Sequence, residues 1–538
     1  MDKRTIVALG LIMVLIFVYQ AYFIPKETQK QPPAQTQTQT EPLSKDQKNE
    51  IKETKKETQT QKAFPTKTES VSKVEKKIGR TFTAETPYLK VTLGDLGGGI
   101  ISVKLKKYRE TVKGTSSKEL VEDIKPYVYI PQASLRPAAG ASAASDATYF
   151  QADKESVTVK DKPETITLSG TLENGSKIKK TYTFYPDNYV IDVKIEPEAP
   201  TADTVYYDLA LLDTKKESSL IFKGPLVYNG KLEQITKIDQ TQQFERNYTY
   251  AGFDEGFFAC LFIPEGNTKP QLSILKTENQ IPVLRLGAEK GAFMGKLYFG
   301  PKQSSVLQSL NVHAEKIVYF GWFDIIAKPL ILGLNLSNRV THNYGIDIIL
   351  LTILIKIIFY PLSVKSYKSM KKMQELQPLV KKLKEKYPND KQKLNQEMMD
   401  IYRTRGVNPM GGCLPMIIQL PVFFALYKGL CGAIELRHAP FMLWINDLSA
   451  PEDLFSFPVA GWVIPVRILP LIMGVTQFIQ QKMTPTAAVD PMQEKMMLLM
   501  PIVFTFIFWN FSSGLVLYWL VNNVISIGQQ YYINKKVT

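Results

Sequence analysis

Two hydrophobic patterns divide the chain. From Tyr88 to about Phe299, apolar and polar residues alternate in short runs separated by turn residues. From Gly345 onward, long apolar runs are joined by short basic loops. In the first part, Thr165–Gly170 and Lys177–Tyr185 flank Asn174-Gly175, a strong hairpin signal, and Asp187-Asn188 turns the chain into the next alternating run, Tyr189–Glu196. Further runs at Asp203–Leu212, Phe257–Phe262 and Ala292–Phe299, with no helical stretches between them, predict an all-β sandwich over residues 87–320. Ala133–Ala147 reads as a low-complexity surface loop.

The second pattern predicts membrane helices. Ile346–Leu362, Leu414–Leu430, Val463–Gln481, Met496–Phe511 and Leu515–Ile533 are apolar runs, and residues 5–24 form another behind the basic start Met1-Asp2-Lys3-Arg4. Residues 1–24 are read as an uncleaved signal anchor, since the apolar segment exceeds a usual signal-peptide core and no A-x-A-like site follows. Residues 25–86, rich in Gln, Thr, Lys, Glu and Pro, are expected to be a disordered tether. In 321–343, Phe323, Ile326, Leu330 and Leu334 recur at helical spacing, and Pro329 should bend this amphipathic helix. It suits an interfacial position, with a domain-core helix as the alternative. In 363–405, Met373, Leu376, Val380, Leu383 and Tyr387 step by three and four, then Leu394, Met398 and Ile401 resume after Pro388-Asn389-Asp390. That predicts a helical hairpin, kinked at Pro378, whose twelve Lys/Arg against five Asp/Glu place it on the cytoplasmic side. The expected architecture is a multi-domain membrane protein with six spans, five of them in a core over 344–538, both termini cytoplasmic and the β domain outside.

Lys356 changes this picture, because it lies well inside an apolar run. A lysine at mid-membrane costs about 2.5–3.5 kcal/mol on insertion scales and usually faces a bundle interior or a water-filled cavity. Thr352 shares its helix face at i, i+4. Gln419, Thr476, Gln480, Thr505, Asn522, Ser526 and Gln529 interrupt the other runs. Each polar residue alone is equally well read as hydrogen-bonding glue between helices, and Lys356 alone could snorkel. Together they predict a hydrated concavity that eases a polar segment partway into the bilayer. Lys428 and Arg467 lie toward the outer ends of their runs, where snorkelling suffices.

Composition narrows the alternatives. At 538 residues the chain exceeds one core, and its mean hydropathy of −0.11 averages two unlike halves. The net charge of +15 concentrates in Lys26–Arg80 and Lys365–Arg405, which argues against a nucleic-acid-binding protein as a whole. Three cysteines (Cys260, Cys413, Cys431) and three histidines (His313, His342, His438) lack disulfide or metal-ligand spacing. No Ser/His/Asp constellation or carboxylate pair stands out, so neither an enzyme nor a cofactor or metal is expected.

The runs YPLSVKSYKSMKKMQELQP, NQEMMDIYRTRGVNPMGGCLPMIIQLPVFFALY, ELRHAPFMLWINDLS, DPMQEKMMLLMPIVFTFIF and FSSGLVLYWLVNNVISIGQQ closely resemble the YidC membrane-protein insertases, related to the mitochondrial Oxa and chloroplast Albino proteins. The resemblance covers Gly321 to about Tyr532 closely and the β region through weaker motifs such as KLYFGPK. It implies the two-membrane bacterial type, with a β-supersandwich in the periplasm of a multi-pass inner-membrane protein. It implies a chaperone that inserts and folds nascent membrane proteins in the lipid bilayer, alone or beside the Sec translocon, with no small-molecule substrate. The hairpin, including Lys381, Lys382, Lys384 and Lys386, would receive clients from ribosomes and targeting factors. The family's groove centres on an arginine that falls on Lys356 here, a departure because a desolvated lysine, unlike arginine, can lose its proton. Two other classes stay open: a small-solute transporter, which would want paired intramembrane charges or inverted repeats, and a membrane-anchored saccharide-binding β-sandwich.

Overall fold

The computed structural model describes residues 79–121, 149–171, 177–198, 205–210, 222–266, 269–276, 282–288, 292–388, 390–407, 414–459, 462–483 and 491–536, all within one compact unit. The expected signal anchor, most of the tether and the Ala133–Ala147 loop lie outside the described residues.

The alternating region folds as predicted into stacked sheets. A nine-stranded antiparallel sheet runs in the order Leu232–Gln234, Gly224–Tyr228, Tyr250–Asp254, Phe258–Glu265, Phe293–Pro301, Val190–Pro197, Lys177–Phe184, Glu164–Thr171 and Phe150–Ala152. The predicted hairpin is present, Glu164 pairing with Phe184 and Thr171 with Lys177; its Asn174-Gly175 turn lies outside the described residues. A five-stranded sheet and a four-stranded sheet share its apolar core, which joins Phe82, Val91, Ile166, Tyr182, Leu272 and Leu284. The five-stranded sheet includes Thr81–Glu85, so the domain begins inside the stretch expected to be tether. Phe82 and Ala84 alternate into the core there, and that burial stabilises a strand which composition alone hides.

One core position breaks the binary pattern. Lys180 alternates inward with Ile178, Tyr182 and Phe184 and is fully buried. Its Nζ donates to the carbonyl of Gly97 at 2.5 Å and sits 4.7 Å from the centre of the Phe150 ring, while Tyr182 donates to the Gly98 carbonyl at 2.8 Å. Gly98 has φ +58, and a side chain there would strike Phe150. Burial pulls the Lys180 amine down to about 7. Because its folded pKa lies below its unfolded one, Lys180 disfavours folding most below pH 7, and that penalty is relieved as pH rises from about 7 toward 10.5. Thermal unfolding of the β domain followed between pH 7 and 9 should therefore rise in midpoint, and Lys180→Met should flatten the rise. An equal slope in both proteins would refute this.

The remainder is helical: α1 Asp324–Thr341, α2 Tyr344–Ile358, α3 Tyr360–Lys386, α4 Lys391–Thr404, α5 Leu414–Gly432, α6 Ile468–Met483, α7 Pro491–Phe508 and α8 Ser513–Lys536. Two expected spans are redrawn. Ile346–Leu362 is not one helix, because α2 and α3 meet at a 65° bend around Phe359. Pro361 lacks the N–H that would bond back to Ile357 and its ring crowds that carbonyl. Val463–Gln481 begins instead as the second strand of a hairpin, Phe455–Val459 with Trp462–Val466, and only then enters α6. Pro465 holds Ile464 extended. Among the described residues no single helix is long and apolar enough to cross a membrane, while α2 and α3 meet that test together as a bent pair.

α1 continues through Pro329 and packs on α2 and α5. Ala327 and Leu334 face inward, while Trp322, just before the helix, and Ile325, Leu332 and Val340 face out. α3 and α4 form the predicted hairpin, from Tyr360 rather than Ser363, around buried Met373, Leu376, Leu394 and Met398. The Asp390 side chain caps α4 by accepting from the Lys393 N–H at 2.9 Å.

Candidate functional site: a cation between α2 and α8

Lys356 points from the last turn of α2 toward α8. Its Nζ donates to Ser526 Oγ at 2.7 Å, and that hydroxyl donates to the Asn522 carbonyl one turn earlier, also at 2.7 Å. Among the described residues no carboxylate reaches Lys356, so its charge is held by a neutral hydroxyl. The apolar residues around it on α2, Ile353, Leu354, Ile357 and Ile358, face outward as a lipid-facing stripe would. The amine therefore marks the polar side of a helix whose other side is greasy.

The other predicted residues divide. Asn522 and Ser526 are buried on α8, and Asn522 Oδ1 has no hydrogen-bond partner among the described residues. Gln419 of α5 and Gln529 of α8 likewise hold a buried amide atom without a partner there. A buried amide left unmatched costs roughly 1–3 kcal/mol, so these groups suit a site that water or a passing polar chain can reach. Thr476 of α6 donates to the Met473 carbonyl and accepts from Asn523 at 3.4 Å, tying α6 to α8. Gln480 is half-buried one turn further along α6. Thr352 and Thr505 behave as packing residues: each bonds a carbonyl of its own helix, at 2.6 and 2.8 Å. Thr352 is fully buried, and Thr505 lies where any side chain on Gly474 would collide with it, at the α6–α7 contact.

Four groups that the sequence pattern left out join this region. Gln477 accepts from the Trp519 indole N–H at 3.0 Å, and Gln530 donates to the Met483 carbonyl at 2.5 Å. Asn523 is the α8 partner of Thr476. Tyr367, in the part of α3 expected to belong to the cytoplasmic hairpin, reaches the Ser526 carbonyl at 3.5 Å and packs with Met370 and Ile533. The stepping of Tyr367 and Met370 ahead of Met373 was the available signal, and the bend at Phe359 explains it: the start of α3 folds back against α8.

A carboxylate braces the site from the other end of α2. Asp347 is fully buried and accepts from Ser337 Oγ at 2.6 Å, Asn338 Nδ2 at 2.7 Å and Thr341 Oγ1 at 2.6 Å, all on α1. It also sits in the first turn of α2, where the helix dipole favours negative charge. Arg467 does more than snorkel: it donates to the carbonyls of Glu452 and Trp509 and to Asn510 Oδ1.

A large, mostly antiparallel β domain joined to a core of short apolar helices that hold Lys356 and several amides between them is the architecture of a membrane protein with a sizeable extramembrane domain. The comparisons with known proteins agree. Residues 81–332 match the family model described as the YidC periplasmic domain, and 336–538 the one described as 60Kd inner membrane protein. The chain is 42% identical to the membrane protein insertase YidC of Syntrophus aciditrophicus over 84% of its own length and 85% of that protein, and 37% identical to that of Geobacter sulfurreducens over 100% and 99%. The chain belongs to the YidC family of membrane protein insertases, inner-membrane proteins with a periplasmic domain. A crystal structure titled as an active YidC insertase with its first transmembrane domain resolved aligns over 85% of this chain and 94% of that one, at 18% identity and a TM-score of 0.39.

Proposed function

We propose that this chain inserts and folds membrane proteins by drawing the polar part of a client into a groove between α2, α6 and α8 centred on Lys356. One observation carries the reading: an amine paired, among the described residues, with the Ser526 hydroxyl alone, on a helix whose outward face is apolar. Such a charge lowers the desolvation penalty of an acidic segment on its way across, with no covalent chemistry. In this reading α2 with the start of α3, α5, α6, α7, α8 and the N-terminal anchor make six spans, with both termini in the cytoplasm and the groove open to cytoplasm and lipid. Clients arrive alone or through the Sec translocon. The test is reconstitution: purified protein in vesicles should insert a short phage-coat-like protein, and empty vesicles should not. Equal insertion in both would sink the proposal, and uptake of a small solute would favour a transporter.

The α3–α4 hairpin is proposed as the docking element for ribosomes and targeting factors. Lys381, Lys382 and Lys386 are exposed and Lys384 is half-exposed, while the hairpin's own core is apolar. Replacing all four by Gln should weaken ribosome or anionic-membrane association and flatten its salt dependence, with little change in thermal stability. Unchanged binding across a salt series would count against docking here.

A further inference from the structure

The hairpin Phe455–Val459/Trp462–Val466 has no role in the groove, and its sequence is unusual for an exposed loop. From Leu454 to Val466 it contains no charged residue, yet Glu452, Asp453 and Arg467 bracket it. Phe455 and Phe457 project from the same strand face and stack edge to face with centroids 5.0 Å apart, and they are 47% and 51% exposed. Leu454 beside them is exposed too. In water such a cluster is a liability.

The base of the hairpin is held firmly. Glu452 accepts from the Trp444 indole and from the Leu469 N–H, both at 2.6 Å, fixing the entry to the hairpin to the first turn of α6. Arg467, directly after the second strand, bonds back to the Glu452 carbonyl and across to Trp509 and Asn510 at the α7–α8 turn. The strand that carries Phe455 and Phe457 is therefore tied at its base to the start of α6 and to the α7–α8 turn.

Length shows what it continues into. α6 has 16 residues and spans about 24 Å at 1.5 Å per residue, short of a hydrocarbon core of about 30 Å. Its outward-facing residues, Leu471, Ile472, Val475, Phe478 and Ile479, begin about one helical turn after the hairpin's second strand ends. We infer that the hairpin is an outer-leaflet anchor, whose Phe455/Phe457 face lies in the lipid at headgroup depth and completes the membrane contact that α6 is too short to make. This rests on α6 spanning the bilayer.

The backbone sets the depth. A two-stranded hairpin has open edges, which the hydrocarbon centre does not tolerate, whereas Phe and Leu on one face of a surface-lying element reach into the boundary between headgroups and acyl chains. Pro458 and Pro465, opposite Val463 and Ser456, each remove an N–H that would otherwise seek a partner there.

The test uses the full chain in vesicles, in a cysteine-free background, with a nitrobenzoxadiazole fluorophore on Phe457→Cys or Phe455→Cys. Val475→Cys on α6 and Glu198→Cys on the exposed surface of the β domain serve as references. The vesicles are phosphatidylcholine with a nitroxide either near the headgroup or near the chain end. Positions 455 and 457 should lose emission to the shallow nitroxide more than to the deep one, while 198 loses none. If 457 instead responds like 198 and is quenched by aqueous iodide, the tip is in water and the anchor is wrong. Shielding from both lipid nitroxides and iodide would show a protein, such as a client or a second copy, covering it, and would equally overturn the anchor. Loss at Val475 alone refutes only the hairpin, whereas no loss at Val475 either removes the membrane-spanning reading of α6 on which it depends.

Discussion

Lys356→Ala should lower insertion of clients with acidic translocating segments by about ten-fold while sparing purely apolar clients. Two unit charges about 4 Å apart attract with roughly 4 kcal/mol at an effective dielectric near 20. If about a third of that survives desolvation of the client's carboxylate, about 1.4 kcal/mol remains, which is a factor of ten in rate. Lys356→Arg keeps the charge and should keep activity, the larger guanidinium taking up the Ser526 hydroxyl in place of the amine. Ser526→Ala removes the hydroxyl that positions Nζ but leaves the charge, so its loss should be smaller. The measurement is the initial rate of client insertion into vesicles, with clients differing only in acidic residues. Normal insertion of acidic clients by Lys356→Ala would dismiss the charged groove and leave snorkelling as the account of the lysine.

The sequence exposed this site unevenly, for physical reasons. Lys356 was legible because a charge inside an apolar run has few explanations, and Ser526 because it follows Asn522 at helical spacing. Gln477 was not, since it is one amide in a run already holding Gln480 and Gln481, and only the fold shows which of them meets Trp519. Only the end of the second strand, Val463–Val466, reads as the start of a span, because hydropathy does not distinguish an apolar strand from an apolar helix. Pro465 and Arg467 were the available signals, the first blocking helix before it and the second too costly to leave inside a span without partners. Strands in the β domain were read well where turn residues bracket them. The domain's true start was hidden because Phe82 and Ala84 find their partners only through the pairing of Thr81–Glu85 with Leu89–Gly94.

Asp347→Ala should be the most destabilising single substitution in the helical core, by about 3 kcal/mol, since hydrogen bonds to a charged group each contribute roughly 1.5–3 kcal/mol and their orphaned donors stay buried. The carboxylate alone gathers Ser337, Asn338 and Thr341, and beside it the only other side-chain hydrogen bond from α1 to the start of α2 among the described residues is the longer one from Tyr344 to Asn335, at 3.2 Å. Among the described residues only Ser337 has a second acceptor on these helices, the Leu334 carbonyl of α1 at 3.1 Å. Asp347→Asn keeps the shape but turns one acceptor into a donor, which must face either the Asn338 amide or a hydroxyl that can rotate. It should therefore fall between wild type and alanine. Because α2 carries Lys356 at its other end, loosening α1 also loosens the helix that presents the amine. Thermal unfolding in detergent should give the order wild type, Asn, Ala, and amide hydrogen exchange should rise first in α1. If Ala unfolds with wild type, or exchange rises in the β domain before α1, then α1 is held by its apolar face on α5 and Asp347 is not the clamp.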